Sequence, residues 1–377
     1  MPEFVTEPDW QNHLLNDGTF LDVRAPGEFL TGAVPGAVNL PILNDDERHQ
    51  VGLCYKKSGN DAATALGHQL VTGHLRQQRM QSWLNLHRTN PNLLVYCFRG
   101  GQRSEITQRW LKEAHVHMPR IAGGYKRIRQ FLLTQMTTLL PNASLFCVSG
   151  HTGSGKTHLL SQLKKSSTKI NVIDLENLAV HRGSAFGATL RPQPSQANFE
   201  NQLSLQLWQL VQKSSQPIWL EDEARTIGRI TLPGELYNAL RTCPMVVIDE
   251  PRDQRAKTIL AEYVIAAFAE NLNYFSRAAA ENKLQTDLTS GVVRISRRLG
   301  GARTQHVLKL LNESLRASLQ DDDWSGHLAW ISFLLEDYYD DFYQAHMDQQ
   351  RDRILFRGSR QDVVCFIKNR SNLCSGS

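Results

Sequence analysis

Two glycine-bearing segments hold residue types that could do chemistry. Gly150-His151-Thr152-Gly153-Ser154-Gly155-Lys156-Thr157 satisfies G-x-x-x-x-G-K-[ST] in full. Its glycines let backbone amides wrap a diphosphate, Lys156 adds a point charge, and Thr157 can hold Mg2+. Asp249 is a candidate second carboxylate for that ion, with Glu221 and Asp222 competing for the role. The other segment is Cys97-Phe98-Arg99-Gly100-Gly101-Gln102-Arg103-Ser104. A thiol among amides at a helix start, with Arg99 and Arg103 beside it, is biased toward the thiolate that a sulfur nucleophile needs. Gly100 and Gly101 let the loop curl its amides inward as an anion cradle.

Each segment needs a strand before it and a helix after it, and the sequence supplies both. Leu93-Leu94-Val95-Tyr96 is a buried strand closed by Cys97, followed by a helix over about 102–114. Ser144 to Ser149 is an apolar strand running into the second loop. Phe20–Val23 and Val38–Leu40 are further strands of the first unit, 61–87 is a long amphipathic helix, and Tyr125–Leu140 is a helix leading out. Strands at 170–174, 217–221 and 245–249 end in acids. Alternating strands and helices imply parallel sheets, whose ligands gather at the carboxyl ends of the strands. The expected fold class is α/β, with one parallel-sheet domain over 1–135, a P-loop domain core over 136–250, and a mainly helical region over 251–377 packed on that core.

Composition narrows the function classes. Of 377 residues, 41% are hydrophobic and 21% charged, which excludes disorder as the main state. The formal charge is only +5, but residues 114–173 contain eight Lys or Arg and no acid, so an anion is expected to dock there. The N-terminus is acidic and no run approaches eighteen apolar residues, so no membrane segment and a cytoplasmic location are expected. Six cysteines without a C-x-x-C pair argue against a disulfide scaffold or a zinc site, and His115 with His117 lacks a third ligand.

The first unit resembles a rhodanese domain through Asp22-Val23-Arg24, Glu28-Phe29, Gly32 to Pro41, the Cys97 loop and Gly123-Gly124-Tyr125. That resemblance implies a cysteine that accepts a chalcogen and passes it on. Arg103 stands six positions after Cys97, where the common rhodanese loop has Arg at five. The longer loop is similar to those of cell-cycle phosphatases, which suits a donor carrying a phosphate.

With Gly52 to Lys56, His181 to Gly187, Trp219 to Glu223, Arg297 to Gly300 and Gly326 to Trp330 added, the whole chain resembles the tRNA 2-selenouridine synthase family. The resemblance implies replacement of sulfur by selenium from selenophosphate at wobble 2-thiouridine of tRNA, and S-geranylation of that sulfur by geranyl diphosphate. It implies a selenophosphate-supplying enzyme as a further partner; it specifies no oligomeric state. Geranyl diphosphate is expected on Gly150, Gly153, Gly155, Lys156 and Thr157. Selenophosphate is expected on Arg99, Gly100, Gly101 and Arg103, with Cys97 taking selenium as a perselenide or positioning it. Cys54 is either a resolving thiol or structural. Arg127, Arg129, Arg294, Arg297 and Arg298 are candidate tRNA contacts, whereas 320–342, with seven acids and no Lys or Arg, should face away from RNA. The competing readings are a P-loop kinase or NTPase with a regulatory rhodanese module, a general sulfurtransferase or cysteine phosphatase, and a non-catalytic tRNA-binding scaffold.

Overall fold

Short apolar strands separated by helices build two all-parallel sheets. The computed structural model describes residues 3–166 and 170–373. It falls into two units, Met1–Leu139 with Ser195–Gln209, and Leu140–Pro194 with Leu210–Ser377.

In the first unit, β1 (Phe4–Val5), β2 (Phe20–Asp22), β3 (Ala37–Asn39), β4 (Leu94–Tyr96) and β5 (Arg120–Ile121) lie in the order β1-β5-β4-β2-β3. Every pairing is parallel, which requires a crossover between successive strands. β2 and β4 are buried throughout, as expected for strands covered on both faces. One face packs Trp10, Phe20, Tyr96 and Ile128 with Leu205 and Trp208 from the helix Gln196–Lys213. The other packs Leu21, Val95, Trp83 and Trp110. Arg24 is buried, paired with Asp22 at 2.6 Å, bonded to the Gly32 carbonyl at 2.7 Å, and set 4.1 Å from the Tyr125 ring centre. The Asp-Val-Arg and Gly-Gly-Tyr motifs therefore clamp the unit together rather than face a substrate.

The expected single helix over 61–87 is divided: Asp45–Leu70, itself broken at Gly59 (φ +82°), is followed by a separate helix, Gly73–Thr89. Val71 and Thr72 leave helical backbone between them, with φ/ψ of −112/78 and −131/170. Two successive β-branched residues weaken the helix there, and Val71 gains burial by turning into the core.

The second unit contains β6 (Leu145–Gly150), β7 (Asn171–Val172), β8 (Ile218–Glu221), a hairpin of β9 (Thr226–Ile227) and β10 (Ile230–Thr231), β11 (Met245–Ile248) and β12 (Ile354–Gly358). The main sheet has the order β12-β11-β6-β8-β7, again all parallel. Its edge strand β12 comes from the region that reads as helical in the sequence. Residues 252–348 are helical apart from short connections. Ala280, Leu284, Leu288, Val292, Ile295 and Leu299 repeat at helical spacing and are all buried. At about 1.5–3 kcal/mol per buried large aliphatic side chain, this stripe alone fixes the helix Arg277–Leu299 onto its neighbours. Two π-helical turns, Leu260–Ile265 and Leu335–Tyr339, interrupt the region. Among the described residues, no helix is long and apolar enough to cross a membrane.

Candidate functional site

Cys97 follows β4 directly, and the helix Gln102–Glu113 starts after the loop. Its thiol is buried, donates to the Gly101 carbonyl at 3.7 Å, and lies 3.3 Å from the Ser104 hydroxyl. Ser104 donates to the same carbonyl at 2.9 Å. Gly100 and Gly124 have φ of +68° and +55°, and a side chain on either would strike backbone. A Cβ on Gly124 would sit 2.2 Å from the Cys97 carbonyl oxygen and 2.5 Å from the Gly100 nitrogen. The Tyr125 and Lys126 amides donate to the carbonyls of Cys97 and Phe98, both at 3.0 Å. The Gly-Gly-Tyr segment is thus the buttress of the thiol loop.

Above the thiol lies a cleft of about 1140 Å³ lined by Arg48, Lys56, Arg99 and Arg103 and, among the described residues, by no carboxylate. Arg103 is turned to Glu28, at 2.5 and 3.1 Å, and Arg48 bonds the same carboxylate at 2.9 Å. Burial alone would raise the Glu28 carboxyl, but Arg103 and Arg48 overcome it and hold it below its ordinary range. Glu28 is a site residue that sequence reasoning did not single out, although the rhodanese-like motif contains it. Arg99 is exposed beside the Phe98 ring. Gly52, Leu53, Tyr55 and Lys56 line the cleft, while half-buried Cys54, on the same helix, does not.

In the second unit β6 runs straight into the P-loop, and the helix Lys156–Ser166 follows. Three cations bond loop carbonyls: Lys156 to Gly150 at 2.9 Å, Arg255 to Thr152 at 3.2 Å, and Arg360 to Ser154 at 3.1 Å. Satisfying the carbonyls in this way adds positive charge around the loop. Arg255 also pairs with Asp340 at 2.8 Å. Burial would raise Asp340, but Arg255 more than compensates and lowers it. The Tyr343 hydroxyl lies 2.5 Å from Ser149 and accepts the Gly150 amide. Asp340 of the acidic segment, through Arg255, and Tyr343 just after it therefore reach the P-loop.

Thr157 donates to Glu176 at 2.7 Å, so the carboxylate against this hydroxyl is Glu176 and not Asp249. Asp249 is about half exposed and faces Arg357 at 3.8 Å. Asp222 takes the Ser149 hydroxyl at 2.6 Å and pairs with Arg241. Glu221 is fully buried and accepts the Leu175 amide at 2.9 Å. Burial raises the carboxyls of Glu176, Glu221 and Glu223, and mutual repulsion adds to it; Glu223 is pushed to about 8 by burial and then by Glu176. The sequence signal for Glu176 was its place just past an acid-ended strand. Arg360 and Tyr343 carried no local signal.

The candidate RNA contacts are differently placed. Arg127 pairs with Glu7 at 2.7 Å. Arg129 is spent on Glu200 at 2.6 Å, Asn201 at 2.7 Å and the Ala197 carbonyl at 3.1 Å, which anchors 195–209 in the first unit. Arg297 and Arg298 are exposed, as is Arg294, which donates to the Ala185 carbonyl at 2.6 Å.

Known proteins place these features together. Residues 7–130 match the rhodanese-like domain, and residues 143–373 match the tRNA 2-selenouridine synthase AAA domain. A tRNA 2-selenouridine synthase of Alcanivorax borkumensis is 42% identical over 96% of this chain and 98% of its own. Those of Shewanella frigidimarina and Pseudomonas syringae pv. tomato are 39% and 40% identical, covering 96% and 97% of this chain and 98% of their own. A thiol loop and a P-loop on successive parallel sheets, matched across nearly the full length, mean that this chain belongs to the tRNA 2-selenouridine synthase family.

Proposed function

We propose that this chain is a transferase that modifies tRNA at wobble 2-thiouridine in two steps, each served by one unit. In the first, the thiocarbonyl sulfur attacks C1 of geranyl diphosphate held on the P-loop. The S–C1 bond forms, the C1–O bond breaks, pyrophosphate leaves, and the base loses its N3 proton. The Gly150–Thr157 amides and Lys156 stabilise the charge that develops on the departing pyrophosphate. No ATP hydrolysis is required. Thr157 and Glu176 offer hard oxygens suited to Mg2+, while the described residues contain no group of three or more His, Cys, Asp or Glu able to hold a metal. An ion there would be shared with the diphosphate, and when bound it would neutralise pyrophosphate charge.

In the second step selenophosphate occupies the Cys97 loop, its phosphate facing Arg99, Arg103 and the loop amides and its selenium held against Cys97. The C2–Se bond forms as the C2–S bond breaks, geranylthiol leaves with a proton, and water cleaves the Se–P bond to release phosphate. S-alkylation is what makes this exchange feasible, because the sulfur departs as a thiol. Selenium in selenophosphate is already reduced, so thiolate attack on it would expel phosphite. Positioning of intact selenophosphate by Cys97 therefore balances to phosphate without another reactant, whereas a perselenide route would yield phosphite and then need a reductant to cleave its Se–S bond.

The observation that carries this reading is the acid-free cationic cleft over a buried thiol, on a chain that also bears a complete P-loop. Mass spectrometry of nucleosides from bulk tRNA, with and without the gene, tests it. Loss of 2-selenouridine and S-geranyl-2-thiouridine is expected; an unchanged nucleoside profile refutes it.

A further inference from the structure

In the second unit a cleft opens at Thr152 of the P-loop, and its exposed lining is carbon throughout. Ile259, Leu334 and Leu335 supply aliphatic walls; Phe186, Tyr263, Trp330 and Tyr339 supply aromatic ones. Both π-helical turns border it, one through Tyr263 and the other through Leu335 and Tyr339. Such turns recur at functional sites, because the inserted residue re-aims the side chains around it.

The segment 181–187 is built to place one wall of this cleft. Phe186 lies over Gly291, where a Cβ would come within 2.2 Å of its ring, and its ring centre is 5.8 Å from that of Trp330. Arg182 donates to the Glu262 carbonyl at 2.9 Å, and Tyr263 donates to the Arg182 carbonyl at 3.2 Å, so the segment is tied to the first π turn. Tyr339 is half-buried, and its hydroxyl, which is buried, has no hydrogen-bond partner among the described residues. Its ring can therefore move without breaking a polar contact. The space is tight, about 30 Å³, so a guest longer than a few atoms must displace an aromatic ring.

We infer that this cleft seats the hydrocarbon chain of an allylic diphosphate whose head lies on the P-loop, with Phe186, Trp330 and Tyr339 setting the chain length accepted. The inference rests on the P-loop reading above and adds the subsite for the chain. A nucleotide's ribose and base would bury several hydrogen-bonding groups against a lining whose exposed atoms are carbon, leaving most of them unpaired. A prenyl chain loses nothing there and gains apolar contact. As the C1–O bond of an allylic donor breaks, positive charge spreads over the allyl carbons, and aromatic faces attract that charge.

The test titrates the full chain with inorganic pyrophosphate, dimethylallyl diphosphate and geranyl diphosphate by calorimetry. Wild type should bind geranyl diphosphate about tenfold or more tighter than pyrophosphate, with the five-carbon donor between. Leu334→Trp, which fills the cleft, should erase that gap while pyrophosphate still binds. Tyr339→Ala, which enlarges it, should shift the preference toward farnesyl diphosphate and serves if the tryptophan variant does not fold. If wild type binds pyrophosphate but the chain adds nothing, or both variants keep the wild-type order, the cleft assignment is overturned while the P-loop reading stands. If neither pyrophosphate nor any prenyl diphosphate binds, both are overturned.

Discussion

Cys97 and Gly150 stand at corresponding points of two parallel sheets, each at the carboxyl end of the strand that lies third in a five-strand order. The surroundings of the two loops differ. Around Cys97, Lys56 and Arg99 are exposed, Arg48 and Arg103 share Glu28, and among the described residues no acid lines the cleft itself. Around the P-loop, Lys156, Arg255 and Arg360 are pinned to loop carbonyls, and buried carboxyls lie beside Thr157 and Lys156. Loose cations over a wide cleft suit a bulky polyanion with a small donor beneath it. Fixed cations around a narrow loop suit one compact anion whose position must not vary. The same strand-loop-helix construction thus yields two sites of different selectivity.

The largest expected effect separates them outright. Cys97→Ser should abolish 2-selenouridine and leave S-geranyl-2-thiouridine in tRNA from cells carrying the variant. Lys156→Ala should abolish geranylation. Loss of both products in Cys97→Ser would show that the two sites do not divide the chemistry.

A second variant tests the buttress of the thiol loop. Gly124→Ala must place a Cβ against the Cys97 carbonyl at φ +55°, a strain of roughly 1–3 kcal/mol before any steric clash. Selenation should fall at least about tenfold, with geranylation near wild type. Equal loss of both would mean that the damage is global, and normal selenation would mean that the buttress is dispensable.

These contrasts also mark what could be read from sequence. Both loops, their strands and helices, and the two-sheet α/β class were legible, because a strand, a glycine turn and a helix start are local patterns. The assignment of 195–209 to the first unit was not. Its helix shows an ordinary apolar face, and nothing in that periodicity says which sheet Leu205 and Trp208 will cover. Arg129 read as a free cation for the same reason, since its partners Glu200 and Asn201 are 71 and 72 residues away in sequence. Tyr343 and Arg360 reach the P-loop, and β12 joins its sheet beside β11, from the far end of the chain, a proximity that only the tertiary fold creates.

A subtler difference is in pH response. Glu223, with a carboxyl at about 8 from burial and from Glu176, keeps its proton in the folded protein where the unfolded chain has lost it. Its contribution to stability is present below the unfolded value of 4.5 and is lost as pH rises through about 8. The charge that appears there lies near Lys156, so pyrophosphate affinity should fall severalfold between about pH 7 and 9. Glu223→Gln should flatten that dependence and leave the pH profile of selenation unaltered. A slope that survives the substitution would assign it to another group.

The smallest effect isolates one hydrogen bond. The Tyr343 hydroxyl accepts the Gly150 amide, a donor that an incoming phosphate oxygen would use. Tyr343→Phe leaves that amide unpaired in the free protein, which costs about 1–3 kcal/mol and should lower the melting temperature. The same change removes a competitor from the anion site. Pyrophosphate should then bind up to severalfold tighter, and the melting temperatures of the two proteins should converge at saturating pyrophosphate. Weaker binding by Tyr343→Phe would mean instead that the hydroxyl contacts the ligand directly, making the tyrosine part of the cradle rather than a stand-in for its guest.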